Sequence, residues 1–125
     1  MTDRELYEMA LDVSKKAYAP YSNYGVGAVL VCDDGTLYTG FNIEKASFGA
    51  TVCAERVALF KAVSEGKRKF RVIAVASARE ENCSPCGICR QTLSEFEPEL
   101  LVIYKWNDEI VKRPLGEILS DSFVM

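Results

Sequence analysis

The sequence predicts an α/β fold in which helices cover the faces of a mixed β-sheet. Two strand-like runs flank Asp33, Asp34 and Gly35, which together are a strong hairpin signal. Residues 71–77, RVIAVAS, form an apolar and β-branched run that is typical of a strand covered on both faces. Helix signals alternate with the later strands, and right-handed crossovers between parallel strands place such helices on the faces of the sheet.

The first part of the chain is expected to form a helix and then the hairpin. Thr2 or Asp3 can cap this helix, which should cover one face of the sheet and end before Pro20. The hairpin strands are expected at residues 26–32 and 36–41. The apolar positions of the helix recur at steps of three and four, and they are Leu6, Ala10, Val13 and Ala17.

The rest of the chain is expected to alternate between helices and strands. Gly66 ends the second helix, and the third helix stops before Pro98. In chain order the elements are a helix from Cys53 to about residue 63, a strand at 71–77, a helix from about residue 87 to residue 96, strands at 100–106 and 110–113, and a last helical turn at 114–119.

Composition indicates one globular domain that spans residues 1–125. The chain of 125 residues is 49 % hydrophobic and 26 % charged, which is sufficient for a real core. No stretch is apolar enough to span a bilayer, and the N-terminus lacks the apolar core of a signal peptide, so we expect a cytoplasmic protein without a membrane partner. Five cysteines in such a chain indicate reduced thiols or metal ligands rather than a disulfide framework.

The net charge and the lack of histidine exclude several classes of function. The net charge of −3 and a pI of about 5.0 argue against a nucleic-acid partner, because such proteins neutralise phosphates with a basic face. The absence of histidine removes every Ser-His and Cys-His nucleophile arrangement. Proton transfer must therefore come from a carboxylate, a lysine, a tyrosine or a metal-bound water.

Three cysteines are candidate metal ligands. Cys86 and Cys89 lie where a turn after Pro85 opens a helix, and there the unpaired N–H groups and the helix dipole favour thiolates. Zinc takes four ligands in a tetrahedron, and Cys53, which precedes another helix, is the candidate for a third. Three protein ligands leave one position open for water, as in a catalytic zinc site.

Two charged residues directly follow the first of these cysteines. In the first turn of a helix, Glu55 can lean toward the same point as Cys53. It can then accept a proton from a metal-activated water without being a ligand itself. Arg56 can offset the negative charge that three thiolates leave on a divalent cation.

These motifs resemble those of a known family. The segments YAPYSNY, GFNIEKASFG, TVCAER, FKAVSEG and SPCGICRQ, with a terminal Phe, resemble the homotetrameric zinc-dependent cytidine deaminases over nearly the whole chain. The resemblance implies a three-layer α/β/α sandwich with a mixed five-stranded sheet, a bound Zn²⁺ and a homotetramer. It also implies the hydrolytic deamination of cytidine and deoxycytidine to uridine and deoxyuridine plus ammonia in pyrimidine salvage, by attack of zinc-bound hydroxide at C4.

The same resemblance gives individual residues expected roles. Cys53, Cys86 and Cys89 would bind the zinc, and Glu55 would be the proton shuttle. The remaining roles concern the nucleoside and the ligands: Asn42 and Glu44 bind the ribose, Tyr24 stacks on the base, the backbone of Ala54 meets O2, the Ser84 carbonyl receives the amino group, Arg56 hydrogen-bonds ligand sulfurs, and Phe123 reaches a neighbouring subunit's site.

Other interpretations of the same residues stay open. Cys86 and Cys89 alone also fit a thioredoxin-like redox pair, and Cys83 as a fourth ligand would close a purely structural zinc site. Another deaminase substrate, such as a different aminopyrimidine, a guanine compound or a nucleoside antibiotic, is the main alternative to cytidine. Gly25, Lys45 and the short tail after Phe123 differ from the usual family pattern and bear on the sugar pocket.

Overall fold

The computed structural model describes residues 1–119 of the chain. Within this range, helices and strands alternate after an initial hairpin, and a short 3₁₀ turn, Phe48–Ala50, precedes the second helix. The elements are α1 (Asp3–Ser14), β1 (Val26–Cys32), β2 (Leu37–Phe41), α2 (Ala54–Ser64), β3 (Phe70–Ser77), α3 (Gly87–Phe96), β4 (Leu101–Trp106), β5 (Glu109–Pro114) and α4 (Leu115–Ile118).

The strands form one mixed sheet in the spatial order β2-β1-β3-β4-β5. β1 is antiparallel to both of its neighbours, β3 is parallel to β4, and β5 is antiparallel to β4. β2, β3 and β4 therefore run in the same direction, and α2 and α3 are the crossovers that connect them. The predicted α/β class with a mixed five-stranded sheet is confirmed.

β1 and β3, two of the three inner strands, are buried on both faces, because alternate residues of each contribute to two separate cores. Leu30 and Ile73 pack in the core that contains α2 and α3. Val29 and Ala74 pack in the core that contains α1. The sheet is thus the middle layer of a three-layer α/β/α sandwich. No helix within residues 1–119 has the length and the apolar surface that a bilayer crossing requires.

The first helix is shorter than the sequence predicts. Thr2 caps it as expected, but α1 ends at Ser14, so the helical period that included Ala17 was wrong at its last position. The N–H of Ala17 bonds to the carbonyl of Ser14 at 3.2 Å, which closes a tighter turn. The chain then extends, and the N–H of Tyr18 donates to the carbonyl of Asn42 at 3.1 Å. This pairing with the loop after β2 prevents the helix from continuing.

Gly40 in β2 allows α2 to lie directly on the sheet. A Cβ atom at this position would lie 2.6 Å from the carbonyl oxygen of Ala54 and 2.6 Å from the amide nitrogen of Ala58. Such distances leave no room for a side chain. The contact fixes the start of α2, and with it Cys53, against the end of β2.

We expect Gly40→Ala to lower the free energy of unfolding by about 1–3 kcal/mol, because the added methyl group overpacks a backbone contact that cannot yield. Urea unfolding followed by circular dichroism measures this change. Gly116→Ala is the matched control, because a Cβ atom at Gly116 has no neighbour within 4 Å among residues 1–119. Equal stability losses in the two variants would contradict the assigned role of Gly40.

Candidate metal centre and active site

Three thiols meet where α2 and α3 begin. Cys53 is the N-cap residue of α2, Cys86 is the N-cap residue of α3, and Cys89 lies in the first turn of α3. The Sγ atoms of Cys53 and Cys86 are 3.6 Å apart, and those of Cys86 and Cys89 are 3.3 Å apart. All three sulfurs lie within 4.8 Å of one another. Loops that are distant in sequence thus deliver three soft ligands to one point.

This cluster fits a tetrahedral zinc site. Zn–S bonds of about 2.3 Å place two ligand sulfurs about 3.8 Å apart at the tetrahedral angle. The observed separations of 3.6 and 3.3 Å are close to that value. Neither Cys53 nor Cys86 uses its side chain to cap a backbone N–H, and all five cysteines are free thiols. The donor set and its spacing therefore suit a bound zinc ion.

The electrostatic environment of the cluster favours the thiolate form of Cys53. A hydrogen bond with Cys89, supported by Arg56, lowers the pKa of the Cys53 thiol to about 5. The same hydrogen bond, together with burial, raises the pKa of Cys89. A divalent cation supplies the charge that lets every ligand thiol ionise. The Nη2 of Arg56 lies 3.6 Å from the Sγ of Cys53, so one positive charge already faces the cluster.

Glu55 is a buried carboxyl group beside the thiols. It lies in the first turn of α2 and is only 4 % exposed. Burial raises its pKa to about 7. A carboxyl group that titrates near neutral pH suits proton transfer. A cation bound at the thiols would favour its ionised form.

A pocket of about 480 Å³ opens onto this corner of the fold. Two of the described residues that the sequence assigns to zinc or substrate do not line this pocket. Cys89 is buried, and Arg56 contacts the sulfur of Cys53. Phe123 lies outside the described residues, so its predicted role stays a prediction. The other predicted site residues all line the pocket: Tyr24, Asn42, Glu44, Cys53, Ala54, Glu55, Ser84 and Cys86.

The predicted ribose-binding pair also braces the pocket wall. The amide of Asn42 accepts from the N–H of Val26 and donates to the carbonyl of Tyr24, both at 2.9 Å. The carboxylate of Glu44 accepts from the N–H groups of Tyr21 and Ser22 at 3.0 Å, and from the Ser22 hydroxyl. These bonds lower the pKa of Glu44, chiefly through the Ser22 hydroxyl. Both side chains keep further donor or acceptor capacity for a diol.

Tyr24 is held by residues that the sequence reasoning missed. The guanidinium of Arg79 lies 5.0 Å from the centroid of its ring and donates to the carbonyl of Asn23 at 3.3 Å. The Tyr24 hydroxyl lies beside Ser77 and Cys83, and burial raises its pKa. Arg79 is distant from Tyr24 in sequence, so no local pattern indicates this contact.

Cys83 does not join the thiol cluster. Within residues 1–119, the group of side chains that could hold a metal ion consists of Cys53, Cys86 and Cys89. Cys83 lines the pocket instead, and burial raises the pKa of its thiol to about 11. This arrangement favours neither a closed structural site nor an isolated redox pair. Cys53, Cys86 and Cys89 would hold a metal ion by themselves, and a zinc ion with three protein ligands would supply an activated water.

Comparison with known proteins agrees with this geometry. Residues 1–105 match the family model described as the cytidine and deoxycytidylate deaminase zinc-binding region. A cytidine deaminase of Halalkalibacterium halodurans is 43 % identical over 124 residues, which cover 97 % of this chain and 94 % of that protein. The crystal structure of a Burkholderia pseudomallei cytidine deaminase superposes with a TM-score of 0.91 at 42 % identity, covering 98 % of this chain and 100 % of that one.

A more distant relative is named for a different substrate. A blasticidin-S deaminase of Bacillus cereus is 30 % identical over 125 residues, which cover 94 % of this chain and 89 % of that protein. The fold and the three-thiol corner thus define a zinc-dependent hydrolase, and the chain belongs to the cytidine and deoxycytidylate deaminase family. The expected enzyme class, a zinc-dependent deaminase, is confirmed.

We expect the purified protein to carry about one zinc ion per chain and Cys53→Ser to lose it, because a hydroxyl is a poor substitute for a thiolate ligand. Metal analysis by mass spectrometry measures the content. Cys83→Ser is the matched control and should keep its zinc, since Cys83 lies outside the cluster. Loss of zinc from Cys83→Ser would show that the site is closed by four thiols.

Proposed function

We propose that the chain deaminates cytidine and deoxycytidine to uridine and deoxyuridine, as part of pyrimidine salvage in the cytoplasm. The observation that carries this proposal is the buried carboxyl of Glu55 beside three thiols at the floor of one pocket. Relatives named cytidine deaminase cover almost the whole chain. The cytoplasmic location agrees with five free cysteines, because that compartment keeps thiols reduced.

The reaction replaces the amino group at C4 of the base with the oxygen of water. A zinc ion held by Cys53, Cys86 and Cys89 would supply a water whose pKa is about 7. The carboxylate of Glu55 would accept a proton from the attacking water and deliver it to N3 of the base. A second transfer through the same carboxyl allows the amino group to leave C4 as ammonia, so that water and cytidine become uridine and ammonia.

Backbone groups around the thiols would orient the base. The N–H of Ala54 belongs to the first turn of α2, where N–H groups have no partner within the helix. It can donate to O2 of the base. The carbonyl of Ser84, at the start of the loop that carries Cys86, can accept from the amino group. Tyr24 offers a ring face for stacking, and Asn42 with Glu44 offers both donors and acceptors to the ribose diol.

The charge of the pocket favours a neutral nucleoside over a nucleotide. Glu44 and Glu55 line it, and among the described residues no Lys or Arg does. A phosphate placed there would face carboxylates without a compensating cation. Lys45 does not line this pocket, because it is exposed and lies beside Glu44 in an adjacent depression. The likeness to a blasticidin-S deaminase keeps a nucleoside antibiotic as the second candidate substrate.

The proposal includes a homotetramer, because Phe123 would complete a neighbouring subunit's pocket. Exposed apolar side chains on the two helices that begin at the site, Phe60 and Ile88, also suit a subunit contact. Light scattering on the active protein should therefore give about four times the mass of one chain. An active monomer would refute this part of the proposal.

Replacing Glu55 tests the proposed reaction directly. Glu55→Gln keeps the shape of the side chain but cannot accept the water proton, so we expect kcat to fall by about 10²- to 10⁴-fold while zinc stays bound. The decrease in ultraviolet absorbance on deamination measures turnover. A variant that is folded, holds zinc and turns over cytidine within about tenfold of wild type would rule out the assigned role.

The same assay identifies the substrate. Wild-type protein would be compared on cytidine, deoxycytidine, cytosine, the two monophosphates and blasticidin S. Turnover of the two nucleosides above all others supports the proposal, and a preference for blasticidin S or for a monophosphate contradicts it. Because the spectrum changes only when the amino group is lost, binding without reaction is not counted.

A further inference from the structure

Arg90 holds the loop that leads into α3 through its side chain at two successive residues, Ser84 and Pro85. Its Nη2 donates to the hydroxyl of Ser84 at 2.8 Å, and its Nε donates to the carbonyl of Pro85 at 2.7 Å. Its own backbone N–H donates to the carbonyl of Cys86 at 2.9 Å. The side chain thus bonds to the proposed amino-group acceptor residue and to the proline that precedes Cys86, while the backbone bond to Cys86 is the regular helical bond to the N-cap residue of α3.

The fourth bond of Arg90 reaches the end of the described chain. Its Nη1 donates to the carbonyl of Ile118 at 2.7 Å. Ile118 is the last residue of α4, where carbonyl groups lack partners within the helix and a positive charge is favoured. The start of α4 is held separately, because the N–H of Leu115 donates to the carbonyl of Leu100 at 2.8 Å. Arg90 is therefore the link between the ligand loop and α4.

Only a planar guanidinium can make these side-chain bonds together. Its five N–H groups form a fixed fork, and here the three nitrogens serve three different acceptors. Pro85 is buried and has no N–H of its own, so it contributes no backbone donor that could hold the loop. A lysine at this place would have a single nitrogen for acceptors that lie in different directions.

We propose that Arg90 is a positioning residue that fixes the Ser84–Pro85–Cys86 segment relative to the thiol cluster and ties it to α4. Its effect on turnover rests on the proposed deamination, but its effect on metal retention does not. Side chains that orient metal ligands from outside the ligand set typically change metal affinity or activity by about 10- to 100-fold when they are replaced. We expect losses of this size from Arg90→Met.

The test combines two measurements on purified, zinc-loaded protein. Zinc release into an excess of a chelating dye gives a rate that does not depend on substrate. We expect about tenfold faster release or more from Arg90→Met, and a smaller increase from Arg90→Lys, which keeps the charge without the fork. Turnover of cytidine per bound zinc should fall by about 10- to 100-fold in Arg90→Met, mainly in kcat, because the displaced loop carries the group that receives the departing amine.

Arg113→Met is the matched control. Arg113 lies on β5, donates to the Tyr104 hydroxyl at 3.1 Å and stacks 5.7 Å from that ring, so its replacement removes a guanidinium with one hydrogen bond and one cation–π contact away from the thiols. Arg113→Met should leave the rate of zinc release and kcat per bound zinc near wild type. Equal changes in both variants, or unchanged zinc release in folded Arg90→Met and Arg90→Lys, would overturn the inference. Changed zinc release in a protein that does not deaminate cytidine would support the role of Arg90 and refute only the proposed substrate.

Discussion

The meeting of two helix N-termini at one edge of the sheet is the constraint on which the site depends. β2, β3 and β4 run in the same direction, so the loops that leave β2 and β3 emerge at the same edge and both turn into helices there. Ligands of α/β proteins commonly bind at such an edge. Each helix contributes unpaired N–H groups and a positive dipole end, so thiolates collect where the backbone already favours negative charge.

The same arrangement carries an electrostatic cost, the repulsion between nearby negative charges, which a bound metal ion can offset. Three sulfur ligands and the buried carboxyl of Glu55 lie within one corner, and ionising them together without a cation would leave several negative charges in a partly dry site. Arg56 supplies one compensating charge. A bound divalent ion supplies the rest, so metal binding and the stability of this corner are coupled. Gly40 keeps the first turn of α2 in place by allowing close backbone contact.

Local signals in the sequence were sufficient to predict most helices and strands. Contacts between residues that are distant in sequence could not be predicted from such signals. The hairpin, the buried strand Phe70–Ser77 and the helix Gly87–Phe96 follow from turn residues, β-branched runs and a proline stop. The end of α1 was predicted wrongly, because the pairing of Tyr18 with the loop after β2 is not visible in a helical period. Arg90 was missed for the same reason, since its partner Ile118 lies 28 residues away.

The position of Cys83 explains why a chain with four cysteines near one corner can hold a catalytic metal. A fourth thiolate would complete the tetrahedron and exclude water, which is the arrangement of a structural zinc. The Cys83 thiol instead lies on the pocket wall beside the Tyr24 hydroxyl, outside the group formed by the other three sulfurs. Burial raises its pKa to about 11, so it is a neutral thiol at neutral pH, but its position on the pocket wall, not its acidity, is what keeps it out of the three-thiol group. The other three thiols would therefore hold a metal ion without Cys83, and the carboxyl of Glu55, which lines the same pocket, would be placed to take a proton from a water that such an ion activates.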